Sequence, residues 1–108
     1  AATIVVKTAA CYSSCAAAFL GGFHRSMRGT LMFHAPYYMK GKDIACISDS
    51  SWNPFANKDA RELKKYMVEM LSKDDGQLLY DRTMSYCSSS SGWTLNEDAA
   101  NFFNLTTN

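Results

Sequence analysis

The feature that most narrows what this chain can fold into lies in residues 3–36. A β-branched run, Thr3-Ile4-Val5-Val6, is followed by C-Y-S-S-C, an Ala-rich apolar segment closed by Gly21-Gly22, and then L-M-F-H-A-P. The first run is continuous rather than alternating, which predicts a short strand, Thr3 to Val6, buried on both faces as a central parallel strand is. Residues 13–20 read as a helix that Gly21-Gly22 stops, and Thr30 to Phe33 as a second strand. Ser13 falls where a strand hands over to a helix. A hydroxyl on such a turn stands beside helix N-terminal amides that favour developing negative charge, which suits a nucleophile. The same position suits an N-cap, for which Ser13 or Ser14 would serve equally well. His34 ends the second strand and is followed by a rigid Ala35-Pro36 exit, so it is the better candidate base. His24 lies in the polar, turn-like connection 24–29 and reads as a solvated surface histidine.

With 108 residues the chain is expected to form one domain, 1–108, around one core. A formal net charge of +1 gives no electrostatic reason to expect nucleic acid or an anionic membrane as a partner. The longest apolar candidate, Ala16 to Gly22, is far below the roughly 20 residues needed to cross a bilayer, so no membrane-spanning segment is expected. No cofactor is implied. The start at Ala1-Ala2 fits either a removed signal peptide or a chain cut from something longer.

Four cysteines, Cys11, Cys15, Cys46 and Cys87, weigh towards an oxidising compartment, periplasmic or secreted. Cys11 and Cys15 stand four apart across a helix start, where Cα atoms come within the roughly 4.4–6.8 Å that a disulfide allows. A local bridge is therefore expected, with Cys46 and Cys87 pairing by elimination. Buried free thiols are the alternative. Zinc is a further one, but C-x-x-x-C without a second close pair or a nearby His is a poor zinc pattern, and no metal site is assigned.

After Pro36 the sequence turns irregular, and a long surface loop is expected with a short edge strand at Asp43 to Ile47. Asn57 opens an amphipathic helix with Ala60, Leu63, Met67, Met70 and Leu71 on one face and Arg61, Lys64, Lys65 and Glu69 on the other. Its methionines read as core filler. Lys73-Asp74-Asp75-Gly76 reads as a break, and helical spacing resumes from Gln77 to Met84. Ser88 to Gly92 reads as turn material. Thr94-Leu95-Asn96-Glu97 reads as a capping box opening a short helix through Phe102-Phe103, with Asn104 in a left-handed exit. No internal repeat and no second domain are found.

The run C-Y-S-S-C-A-A-A-F-L-G-G, the run L-M-F-H-A-P and the closing W-T-L-N-E-D-A-A-N-F-F-N-L resemble the serine peptidases of the Clp protease proteolytic subunit family. The likeness is closest to bacterial Clp-like proteins with a C-x-S-x-C nucleophile motif, and it is strongest in residues 3–36 and 93–105. The resemblance implies an α/β, ClpP/crotonase-like fold of βαβ layers. Two or more units precede the first strand in that family and are absent here, so the resemblance implies the C-terminal part of the full fold: a piece of a longer or cleaved protein, a chain whose missing sheet a partner supplies, or a reduced relative that has lost catalysis.

Carried over by position, the resemblance makes Ser13 the nucleophile, His34 the general base and the backbone N–H of Ser14 one oxyanion donor. Two features depart from the family. Its acid position falls on the stretch Ser88-Ser89-Ser90-Ser91, with Ser90 or Ser91 where a carboxylate should stand, and Asp81 lies about two helical turns too early. The second oxyanion donor belongs to the absent N-terminal units. Two functions follow from the resemblance: a hydrolase that cleaves peptide bonds through an acyl-enzyme on Ser13, or a catalytically inactive structural or assembly subunit. Either way the chain is expected to act in an oligomer or larger complex, with peptide or protein as substrate in the first case.

Overall fold

A computed structural model describes residues 1–47, 54–88 and 91–107. In chain order the elements are β1 (Ala2–Val5), β2 (Ala10–Tyr12), α1 (Ser14–Leu20), β3 (His24–Met27), β4 (Thr30–Phe33), β5 (Tyr37–Lys40), β6 (Asp43–Cys46), α2 (Pro54–Met70), α3 (Lys73–Met84), β7 (Trp93–Leu95) and α4 (Glu97–Phe102). The fold is mixed α/β. It divides into two compact units, one formed by Ala1–Phe33 with Trp93–Asn108 and the other by His34–Gly92.

The first unit is built on two parallel strand pairs. β1 runs beside β3 with Ala2 opposite His24 and Val5 opposite Met27, and β2 beside β4 with Ala10 opposite Thr30 and Tyr12 opposite Met32. Between the two pairs one side carries Val6 to Ala9 while the other carries only Arg28 and Gly29. The pairs therefore continue one another across a bulge that absorbs the surplus residues on the first side. Its bonds run from Arg28 N–H to Val5 O (2.8 Å), from Ala9 N–H to Val6 O (3.0 Å) and from Thr30 N–H to Ala9 O (2.9 Å). Thr8 takes a positive φ of 71° inside it. Gly29 is required there, because a Cβ would run into Ala9 O and stand 2.7 Å from Val6 O. β7 joins β4 antiparallel, with Met32 opposite Thr94.

α1 turns Ala16, Phe19 and Leu20 inward, and Val5, Met27, Leu31, Phe33, Leu95, Ala100 and Leu105 are also buried. A part-buried bond from Thr3 Oγ1 to Phe19 O, 2.7 Å, fastens β1 to the helix. Arg25 ties β3 to the same end of α1. Its Nε donates to Leu105 O (2.7 Å) and its Nη1 to Leu20 O (3.3 Å) and Gly22 O (3.1 Å). One guanidinium thus satisfies carbonyls at the helix C-terminus, where cations are favoured, and ties down the C-terminal tail.

Three expectations for this unit are corrected. The first strand is Ala2–Val5 and is not buried on both faces: Val5 is buried, but Ile4 is 67% and Val6 62% exposed. Residues 24–27 form a strand, not a turn, because β1 supplies a backbone ladder that their polar side chains do not advertise. Trp93 to Leu95 is a strand, and the helix cap is Asn96, whose side chain accepts from Ala99 N–H (2.9 Å). Asn104 does take the left-handed exit, with φ 61°.

In the second unit β5 and β6 form an antiparallel hairpin with Tyr37 opposite Cys46 and Lys40 opposite Asp43. β6 is the short strand expected at Asp43 to Ile47, whereas Tyr37–Lys40, expected as loop, is its partner, because the two-residue connection Gly41-Lys42 closes a ladder. α2 and α3 form a helical hairpin. α2 carries buried Ala60 and Met67 on the expected stripe, with Leu63, Met70 and Leu71 half-buried beside them.

α3 begins at Lys73 rather than Gln77. Ser72 caps it by accepting from Asp75 N–H (3.1 Å), and Asp74 and Asp75 complement the positive end of the helix dipole. Gly76 is no breaker. Its absent side chain lets α3 approach α2, since a Cβ would stand 2.6 Å from Val68 N and 2.7 Å from Met67 C.

Two disulfides are formed, Cys11–Cys15 with Cα atoms 5.1 Å apart and Cys46–Cys87 with Cα atoms 5.8 Å apart. Both pairings are the expected ones. With all four sulfurs bonded to one another, no thiolate remains for zinc, and among the described residues no cluster of His, Cys, Asp and Glu could hold a metal ion. Among the same residues no helix is long and apolar enough to cross a membrane.

Candidate active site

Ser13 is the residue between β2 and α1, and its backbone is unusual: φ is 58° and ψ is −116°. That combination is the first corner of a type II′ turn, a region that glycine favours and that costs another residue on the order of 1–3 kcal/mol. Two bonds hold it there. Ser13 N–H donates to Met32 O (2.8 Å), and Ala17 N–H closes the first turn of α1 on Ser13 O (3.1 Å). The hydroxyl makes no capping bond, and the residue is exposed. The N-cap role expected for the Ser13 side chain is therefore corrected: the backbone occupies the cap position, but the oxygen is not spent on helix amides. A positive φ turns the side chain away from the geometry in which a serine reaches back to the second or third helical N–H.

Ser14 opens α1, so by helix geometry its N–H has no acceptor inside the helix. It follows directly on the Ser13 hydroxyl, as an oxyanion donor would. The Cys11–Cys15 bridge spans this turn, joining buried Cys11 on β2 to exposed Cys15 in the first turn of α1.

His34 is the first residue after β4, just as Ser13 is the first after β2. Because those strands run parallel with Tyr12 opposite Met32, the chain leaves both at the same end of the ladder. The imidazole is half-buried, with its centroid 5.9 Å from the Tyr37 ring. Its Nδ1 lies 3.0 Å from Ala35 O. A carbonyl oxygen only accepts, so in the neutral ring the proton sits on Nδ1 and Nε2 keeps its lone pair. This is the tautomer a general base needs. In acid-containing triads a carboxylate fixes it, whereas here a backbone carbonyl does. Ala35 is itself buried, and its N–H donates to Tyr86 O (3.0 Å). Nothing in the sequence marks this carbonyl, since every residue carries one.

Of the residues considered for a third member, two lie among the described residues. Ser90 lies outside them. Ser91 is exposed, with its N–H on Ser88 Oγ (3.2 Å). Asp81 is exposed on α3 and accepts from Gln77 Nε2 (2.9 Å), the solvated helix charge that was expected. His24 is exposed on β3, edge-on to Phe23.

No protein-family model matches the chain, and no curated protein matches it.

Proposed function

We propose that the chain is a serine peptidase-like hydrolase with a ClpP/crotonase-like arrangement, in which Ser13 is the nucleophile and His34 the general base. The observation that carries this reading is the backbone of Ser13. A non-glycine residue held at positive φ, with its hydroxyl exposed and unspent, at the end of a strand whose parallel neighbour delivers a histidine one residue further on, is the arrangement that nucleophile turns use. In the mechanism, His34 Nε2 takes the Ser13 proton as Oγ attacks a peptide carbonyl, and the Ser14 N–H faces the developing oxyanion. The imidazolium then protonates the leaving amine, and water releases the acyl group by the same route. Ala35 O holds the ring without a compensating negative charge. The imidazolium is therefore stabilised less than beside a carboxylate, and a slow enzyme is expected. The two disulfides support an oxidising compartment, periplasmic or secreted.

The test is a fluorophosphonate probe on the full chain. Covalent labelling that disappears in Ser13→Ala and falls by orders of magnitude in His34→Ala supports the hydrolase. No labelling of the oxidised protein removes it.

A second reading, an inactive assembly subunit, is favoured by one feature. β1 pairs only with β3 among the described residues, and it leaves Ile4 exposed on a strand apolar enough for a sheet interior. Light scattering separates it: an oligomer that Ile4→Lys converts to monomer, together with absent labelling, supports assembly without catalysis.

A further inference from the structure

We infer that the Cys11–Cys15 bridge is a reducible latch on the Ser13 turn, opened by thiol–disulfide exchange with a dithiol reductant that attacks at Cys15. Four observations converge on it. The bridge closes a loop of only four-residue separation, and that loop contains Ser13. Ser13 is held at φ 58° with no side-chain cap, so the bridge does what a capping side chain does elsewhere: it fixes the first turn of α1 to the preceding strand. Cys11 is 4% exposed whereas Cys15 is exposed, so Cys15 is the more accessible side of the bridge to an incoming thiolate. Finally, both cysteines line a hollow of about 210 Å³ with Ile4, Val5, Ala18 and Phe19, which gives an apolar approach to the bridge.

The exchange balances. A thiolate of the dithiol attacks Cys15 Sγ, the Cys15–Cys11 bond breaks, and Cys11 leaves as a thiolate that takes a proton from solvent. The second thiol of the reductant, deprotonated, attacks its own mixed disulfide and releases Cys15, which is protonated in turn. Two electrons have passed to the protein, and the reductant has become a disulfide. α1 then keeps its place through Phe19 and Leu20, but its first turn has lost its covalent tie to β2. Ser13 is free to leave the positive-φ region, which releases the cost of holding it there. The other bridge, Cys46–Cys87, lies in the second unit and closes a separation of 41. The effect on catalysis rests on the assignment of Ser13 proposed above; the latch does not.

Amide hydrogen exchange on the full chain, oxidised and after reduction by dithiothreitol, tests the latch. Alkylation mapping should show which bridge has opened. The Cys11→Ser/Cys15→Ser variant, which keeps the other bridge, gives the same state genetically. Expected is a rise of about 10-fold or more in exchange at Ser13 and Ala17 with Leu31 unchanged, reversed on reoxidation. Equal protection at Ser13 and Ala17 in both states overturns the latch. So does a rise that includes Leu31 to the same extent, because the bridge is then a general staple. Fluorophosphonate labelling is read in parallel. A loss of labelling on reduction, on the order of 100-fold, ties the latch to reactivity. Equal labelling in both states overturns that tie and leaves the hydrolase standing. No labelling in the oxidised state removes the hydrolase, and exchange alone then decides the latch.

Discussion

The backbone N–H of Ser13 donates to the carbonyl oxygen of Met32 at 2.8 Å, so the residue that leaves β2 is pinned to the neighbouring parallel strand in the same step that turns the chain into α1. That bond, with Ala17 N–H on Ser13 O, fixes a φ of 58° that a Cβ disfavours. Ser13→Gly should therefore be more stable than Ser13→Ala by about 1 kcal/mol, since both lose the hydroxyl and only one loses the strain. Thermal unfolding should place the glycine variant about 5 °C higher. Equal stability of the two variants, or a more stable alanine variant, would show that no such strain is held at Ser13.

Arg25 joins three parts of the first unit: β3 through its backbone, the end of α1 through Nη1, and the tail through Nε. Thr107 extends the same link, with Arg25 N–H donating to its Oγ1 (2.8 Å) and Thr107 N–H to Arg25 O (3.0 Å). Arg25→Ala leaves part-buried carbonyls without a donor and should cost about 2–3 kcal/mol in denaturant unfolding. Arg25→Lys should recover less than half of that. A single ammonium cannot reproduce a planar fork that reaches acceptors on both sides.

The sequence made some of this plain and hid the rest for identifiable reasons. The stripe of Ala60, Leu63, Met67 and Met70 was legible because helical periodicity is a local property, and so was Thr30 to Phe33 as an apolar strand. His24-Arg25-Ser26-Met27 was not. Its strand state comes from β1, more than twenty positions away, and from the Arg25 bonds to a tail 80 positions on. Lys73 to Gly76 misled in the other direction, because the residues that end helices and those that begin them overlap in composition. At the candidate site, the place of Ser13 and His34 at element boundaries could be read from the order of motifs. The positive φ and the Ala35 carbonyl on Nδ1 could not, since both are fixed by how the backbone is held.

Gly76 gives a case where local propensity and packing predict opposite signs. In an exposed helix interior, replacing glycine by alanine gains about 1 kcal/mol. Here the new methyl meets the backbone of Met67 and Val68, which cannot yield as a side chain tip would, so α3 must move off α2. Gly76→Ala should therefore destabilise the protein by about 1–3 kcal/mol, the range for overpacked contacts. Stabilisation in the same measurement would mean that the two helices are further apart than the contact at Gly76 requires.

The two disulfides should contribute unequally to stability. On the chain-entropy account, cross-linking residues four apart restricts the unfolded chain by about 2 kcal/mol, and cross-linking residues 41 apart by about 4 kcal/mol. Cys46–Cys87 also joins the end of β6 to the segment after α3, next to Tyr86, whose carbonyl receives the N–H of Ala35. Its loss should loosen the residues that hold His34 as well as lower the unfolding free energy. Cys46→Ser/Cys87→Ser should therefore lose about twice the stability that Cys11→Ser/Cys15→Ser loses in urea unfolding, with increased amide exchange at Ala35. Equal losses for the two double variants would show that bridge strain or residual unfolded structure outweighs loop length. Unchanged exchange at Ala35 would show that the Tyr86 carbonyl is held by α3 alone.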